Sequence, residues 1–298
     1  MNINNGEVAI SIRNLCKTFE DNIIFDNLNL DIPYGKTTCI MGQTGHGKSV
    51  LSRIITRARD DTYFPDSGEI YIRRGDGKMI DILKLSYDDF TRQYLATDIL
   101  GIVLQSKDSL WTFERSTVYE NVALIPRERG RRKSEIEQIV RETLQKVGLD
   151  YEHYKDMHVR SLSLGEAKRV LLARALAPNH KIIIYDEPTT SAEPEILTTL
   201  TNLIKEIHER TNNTSIVISH DIDSVKVLAK GGKVVLLRKK RKTEPARIIF
   251  EGNYDEFEKI PGDYFKLFRM ELEGGERDRA LGKEGILGSG EGSLIESL

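Results

Sequence analysis

Gly42-Gln43-Thr44-Gly45-His46-Gly47-Lys48-Ser49 is a complete G-x-x-x-x-G-K-[ST] loop. The pattern carries meaning only between a buried strand and a helix, and both flanks fit. Thr37-Thr38-Cys39-Ile40-Met41 reads as the strand, with the Cys39 thiol beside the loop. Val50-Leu51-Ser52-Arg53-Ile54-Ile55 reads as an apolar helix start. Glycines let successive backbone N–H groups curl round phosphate oxygens at the positive end of the helix. Gly42, Gln43, Thr44, Gly45, His46 and Gly47 supply that cradle. Lys48 would reach the β- and γ-phosphates of a bound nucleotide, and the Ser49 hydroxyl would hold Mg²⁺. The alternative is a glycine-rich turn that matches by chance, and the flanking strand and helix argue against it.

The bulk properties narrow the class. With 298 residues the chain has room for one large domain or two small ones. An apolar fraction of 39% supports a sizeable core, and 30% charged residues point to a soluble protein. A net charge of −2 gives no overall sign of a nucleic-acid binder, and no nucleic-acid partner is expected. Two cysteines, Cys16 and Cys39, cannot make a disulfide framework and fit a reducing compartment, where they read as small core hydrophobes. Met1 to Ala9 lacks the basic-then-apolar pattern of a secretory signal. No apolar run approaches the ~18 residues needed to span a bilayer. Any work at a membrane would therefore need other chains to hold this one there.

Along the chain, Val8–Ile12, Ile23–Phe25 and Leu28–Ile32 read as three short strands broken by polar turns. Gly68–Ile72 and Met79–Ile82 flank Arg74-Gly75-Asp76-Gly77-Lys78, a hairpin signal. From about Ser116 to Gly148 the pattern is helical. Ile136, Ile139, Val140, Leu144 and Val147 form an amphipathic stripe. Ile182–Tyr185 and Ser215–Ile218 are short continuous apolar runs, as expected of strands buried on both faces of a parallel sheet. Val234–Leu237 and Arg247–Phe250 read as a late hairpin. Residues 251–270 read as a docking segment, with the apolar cluster Tyr264-Phe265-Lys266-Leu267-Phe268. Residues 271–298 hold seven acidic, three basic and seven glycine residues and read as a disordered tail.

A second constellation follows the first of those buried runs. Asp186-Glu187-Pro188 stands at a strand's C-terminal end, where open α/β sheets place their ligands. Asp186 would take the Mg²⁺ ion or its bound water, and Glu187 is placed to polarise an attacking water. A solvated acidic turn is the alternative. Three further elements come in order: Gln105 after the strand-like run Gly101–Leu104, Leu162-Ser163-Leu164-Gly165-Glu166 before a helix over Ala167–Ala177, and His220 after the Ile216–Ser219 strand.

Together these residues resemble the ATP-binding cassette (ABC) ATPase family, from about Val8 to Phe250. The resemblance implies an α/β P-loop NTPase with a RecA-like core sheet, an antiparallel β subdomain and an α-helical subdomain. The cassette would occupy residues 1–250, with the helical subdomain inserted at about 106–165. By the same resemblance Gln105 contacts Mg²⁺ and senses partner subunits, and His220 contacts the γ-phosphate. Phe19 sits where the family stacks an aromatic on adenine. Ser163 and the N–H groups near Gly165 would cap the γ-phosphate held by Lys48 of a second copy, so two ATP molecules would lie between two chains. A plain reading of Ser163 and Glu166 is a helix capping box, and both hold if the helix starts there.

The chain also departs from the family pattern. Leu164 and Glu166 stand where LSGGQ has glycine and glutamine, and Glu193 stands where aspartate is usual. A carboxylate near a phosphate is costly unless it turns away or is paired. An active, Mg²⁺-dependent ATPase is expected all the same.

The ATPase would energise a membrane transporter through permease subunits gripped near Gln105. Gln105-Ser106, Leu110-Trp111 and Val118-Tyr119-Glu120-Asn121-Val122-Ala123 with Pro126 resemble the Mla/Mce lipid-transport branch, which implies an Mce-type lipid-binding partner. Amino-acid importers, lipoprotein-release systems and a soluble iron–sulfur assembly ATPase are the alternatives. The run Arg238-Lys239-Lys240-Arg241-Lys242 reads as a solvated loop between hairpin strands, with contact to anionic lipid or nucleic acid as the alternative. The expected location is the cytoplasmic side of the inner membrane.

Overall fold

A computed structural model describes residues 7–259 apart from 59, 96, 104–116, 190–193 and 242. The calls on Gln105, Trp111 and Glu193, and on everything beyond 259, lie outside the described residues. The described strands form two sheets. One is antiparallel and holds β1 (Val8–Phe19), β2 (Asn22–Pro33), β4 (Ser67–Arg73) and β5 (Met79–Asp81), in the order β2-β1-β4-β5. The other holds β3 (Thr37–Met41), β6 (Leu100–Val103), β7 (Ile182–Asp186), β8 (Thr214–Ser219), β9 (Lys233–Arg238) and β10 (Arg247–Asn253). Its order is β10-β9-β3-β8-β7-β6, parallel except for β10.

The three short strands expected at the N-terminus are two long ones. Asn14 and Asn27 have φ of 48° and 58°, and the β1–β2 register shifts on both sides of Leu15. Asparagine tolerates the left-handed region, so each polar interruption becomes a bulge within a continuing strand. The hairpin turn closes as expected, with Arg74 N–H donating to Lys78 O at 2.8 Å.

In the parallel sheet every residue of β3, β7 and β8 is buried. Helices cover both faces of such a sheet, which is why these runs carry no alternation. The longer helices are α1 (Lys48–Ile55), α2 (Val118–Glu128), α3 (Lys133–Lys146), α4 (Leu164–Leu176), α5 (Pro194–Thr211) and α6 (Ile222–Leu228). α1 buries Leu51, Ile54 and Ile55 in a core that also takes residues from both sheets, including Ile12, Leu30, Ile40 and Ile216. α2 packs on α3 and α4 and forms the helical layer. Arg129, at the end of α2, ties that layer to the parallel sheet by donating to Pro178 O at 2.7 Å and to Thr97 O.

Two smaller readings change. Cys39 is buried and its thiol is pushed up to about 12 by burial, but Cys16 is half-buried and polar in its contacts, its Sγ accepting from Asn27 N–H at 3.4 Å. The basic run is not wholly a solvated loop. Arg238 ends β9, and Lys239 reaches back to β2, donating to Asn22 Oδ1 and Ile23 O at 2.5 Å each.

Candidate nucleotide site

The register of the parallel sheet assembles the site. Met41 pairs with Ser219, and Asp186 pairs with Ile218, so β3, β7 and β8 end together. The phosphate loop, the Asp186–Glu187 pair and His220 leave those three ends. Gly42 is required by a close approach: a Cβ there would lie 2.5 Å from Leu237 O of β9. Gly47, at φ 89°, turns the chain into α1, and a Cβ on it would meet Ile24 and Phe25 at about 3 Å. His46 is tucked behind the loop, its Nδ1 3.3 Å from Leu237 O. Burial holds its imidazole below the usual range, with the Lys48, Arg238 and Lys239 cations adding to that effect.

Lys48 is the first residue of α1. Its ammonium donates to Gly42 O at 2.7 Å and to Gln43 O at 3.0 Å, and it lies 3.6 Å from Glu187 Oε1. The two side chains are only 4% and 8% exposed. Burial lowers the Lys48 pKa, and the Glu187 carboxylate opposes that shift. The other Glu187 oxygen accepts from His220 Nδ1–H at 2.6 Å. Glu187 itself has φ 51°, and its N–H donates to Ile218 O at 3.0 Å, so β8 holds the residue in a strained conformation. Ser49 Oγ donates to Asp186 Oδ1 at 3.3 Å. Asp186 is buried, and that burial raises its pKa, with Glu187 contributing in the same direction.

Ser49 and Asp186 offer a hydroxyl and a carboxylate oxygen side by side. An all-oxygen pair suits a hard cation that takes its remaining ligands from substrate phosphates and water, as Mg²⁺ does. Among the described residues no group of three or more His, Cys, Asp or Glu is gathered for a metal.

The signature segment opens a helix and carries the capping box read from its sequence. Ser163 is the N-cap of α4, which begins at Leu164 rather than Ala167 and ends at Leu176. Its hydroxyl accepts from Glu166 N–H at 3.3 Å, while Glu166 Oε2 accepts from Ser163 N–H at 2.8 Å. The second oxygen of Glu166 accepts from Tyr154 OH at 2.7 Å, and these bonds, led by that of Tyr154, hold the carboxyl below its usual range. The charge at Glu166 is thus paired and folded back. Ser163 and Leu164 are exposed. Among the described residues no hydrogen bond or ion pair joins Ser163 or Gly165 to Lys48, Asp186 or Glu187 of the same chain.

Phe19, at the end of β1, is half-buried. The Lys17 ammonium lies 4.7 Å from its ring centroid. Lys168 is a residue the sequence reading passed over. It is buried in the second turn of α4; burial lowers its pKa, and the Glu187 charge opposes that. It stands just past the quoted signature, and a lysine in an amphipathic helix gives no separate signal.

A P-loop nucleoside triphosphatase is what this sheet edge defines. Residues 25–190 match the family model described as ABC transporter, and the chain belongs to that family as an ATP-hydrolysing cassette. It is 36% identical over 221 residues, 74% of this chain and 77% of the relative, to the intermembrane phospholipid transport system ATP-binding protein MlaF of Haemophilus influenzae. It is 32% identical over 245 residues to the methionine import ATP-binding protein MetN of Desulfitobacterium hafniense, covering 81% of this chain and 67% of that one. The dimeric structure of the bacterial ABC transporter cassette MJ0796 superposes with a TM-score of 0.66 at 28% identity, over 82% of this chain and 98% of that one.

Proposed function

We propose that this ATPase energises a membrane transporter, with Glu187 as the group that polarises the attacking water. The observation that carries the reading is the continuous chain Lys48–Glu187–His220 beside the Ser49–Asp186 pair, all at one sheet edge. Lys48 lies against Glu187 and neutralises it. A γ-phosphate would draw the Lys48 ammonium to itself and leave one Glu187 oxygen to accept from water, while His220 holds the other. A bound Mg²⁺ on Ser49 and Asp186 would supply charge neutralisation at the β- and γ-phosphates. The loop of residues 42–49 would cradle the phosphates, Gln105 would complete the metal site, and Phe19 would carry the adenine. The exposed Ser163 and the Gly165 N–H would close the site of a second copy, presenting a helix N-terminus to the phosphate.

The cassette of residues 1–250, with its helical part at about 106–165, would grip integral-membrane permease subunits from the cytoplasmic side. Residues 251–270 would dock, and 271–298 would form a tail. No described helix is long and apolar enough to cross a membrane, which fits a peripheral subunit. Similarity to MlaF supports phospholipid as cargo, and the resemblance of Val118–Ala123 with Pro126 to the Mla/Mce branch is the ground for an Mce-type lipid-binding partner. Purifying the tagged chain from its own membranes in mild detergent, with mass spectrometry of what accompanies it, tests this. A multi-span permease together with an Mce-type protein is the expected result. A permease with a solute-binding protein refutes the lipid cargo, and recovery from the cytosol alone refutes the transporter role.

A further inference from the structure

The segment between α1 and β4 is laced to the end of β1 by bonds that a simple connection does not need. Asp60 caps a single turn at Asp61–Tyr63, its Oδ1 accepting from Thr62 N–H at 3.0 Å and Thr62 Oγ1–H at 2.7 Å. Lys17 donates to Phe64 O at 2.7 Å and lies 3.5 Å from Asp66. Asp66 accepts from Thr18 N–H at 2.6 Å, and its own N–H donates to Cys16 O at 3.0 Å.

The consequence is the position of Tyr63. Its ring centroid lies 5.6 Å from that of Phe19, with the planes 74° apart. The Arg53 guanidinium, on α1 five residues beyond Lys48, sits 4.6 Å from the Tyr63 centroid and also bonds its hydroxyl. Tyr63 is therefore held from two sides, by a cation–π contact and by an aromatic edge contact. Lys17 covers one face of Phe19, so a planar base stacked on this ring takes the opposite face. The two half-buried rings are in contact with their planes nearly at right angles. With the Phe19 edge towards the Tyr63 face, a purine stacked on the uncovered face of Phe19 meets Tyr63 at its rim.

We infer that Tyr63, seated by Arg53, is a second wall of the base subsite and makes ATP affinity depend on the purine as well as on the phosphates. The inference rests on Phe19 as the base platform. An aromatic contact of this kind is worth about 0.5–1.5 kcal/mol, which corresponds to an affinity change of roughly 2- to 12-fold.

The test compares Phe19→Ala, Tyr63→Ala and Tyr63→Phe by steady-state ATP hydrolysis and by calorimetric binding of inorganic tripolyphosphate, which has no base. Tyr63→Ala is expected to raise KM for ATP about 2- to 12-fold with kcat little changed and tripolyphosphate binding retained. Tyr63→Phe recovers most of the loss, because the ring is what matters. If Phe19→Ala raises KM and Tyr63→Ala does not, the inference is overturned while the platform stands. If neither raises KM, the platform reading fails and takes the inference with it. If Tyr63→Ala weakens tripolyphosphate and ATP in step, Tyr63 serves the folding of the phosphate loop, and the inference is overturned.

Discussion

His180 shows how one residue couples packing to pH. It precedes β7 and is 5% exposed, with its ring against Gly101 of β6, where a Cβ would lie 2.3 Å from its Cδ2. Burial, reinforced by Arg129, pulls its pKa from 6.5 to about 3. The unfolded imidazole takes a proton near 6.5 and the folded one does not, so the unfolded state binds more protons through that window. The stability His180 contributes is fully present above pH 6.5 and is lost as pH falls towards 3, at about 1.4 kcal/mol per pH unit. Thermal melts of wild type and His180→Gln between pH 7 and pH 5 should show the acid-side loss much reduced in the variant. Parallel curves would show that the imidazole does not stay neutral in the fold.

At the scale of elements, the start of α4 sets the geometry of the signature segment. Ser163 satisfies the Glu166 N–H and Glu166 the Ser163 N–H, so Ser163→Ala removes one half of a reciprocal cap. Such a loss costs about 1 kcal/mol, to be read as a lower midpoint in urea denaturation. An unchanged midpoint would mean that the cap contributes nothing to stability. This element was legible because S-x-x-E before an apolar run is a local signal. The β1–β2 pair was less so. Its bulges at Asn14 and Asn27 look like turns in sequence, and only cross-strand pairing shows that the strands continue through them. Tyr154, which pairs Glu166 from a separate one-turn helix, had no signal at all. Its role depends on tertiary contact.

Across the whole molecule, the sheet order decides the chemistry. Lys48, Asp186 and His220 are far apart in sequence, yet β3, β8 and β7 are adjacent and parallel and end at one edge. Lys48 was legible from the phosphate-loop motif, Asp186 from its place at the end of a short apolar run, and His220 through the family resemblance. What the sequence could not convey is the state of the charges. The Lys48–Glu187 ion pair and the Glu187–His220 hydrogen bond follow from a three-strand register that no single motif contains. Tyr63 was missed for the same reason, since its partners Phe19 and Arg53 belong to β1 and α1.

The most direct test of the account is Glu187→Gln, followed by sedimentation velocity with ATP and Mg²⁺ and by a turnover assay on the same sample. Glutamine keeps the shape of the side chain and removes its capacity to take a proton. General-base loss predicts turnover reduced by roughly 10²–10⁴-fold. The account also predicts a dimer that forms only with ATP and retains uncleaved nucleotide. Hydrolysis at the wild-type rate, with the chain monomeric in ATP, would contradict it.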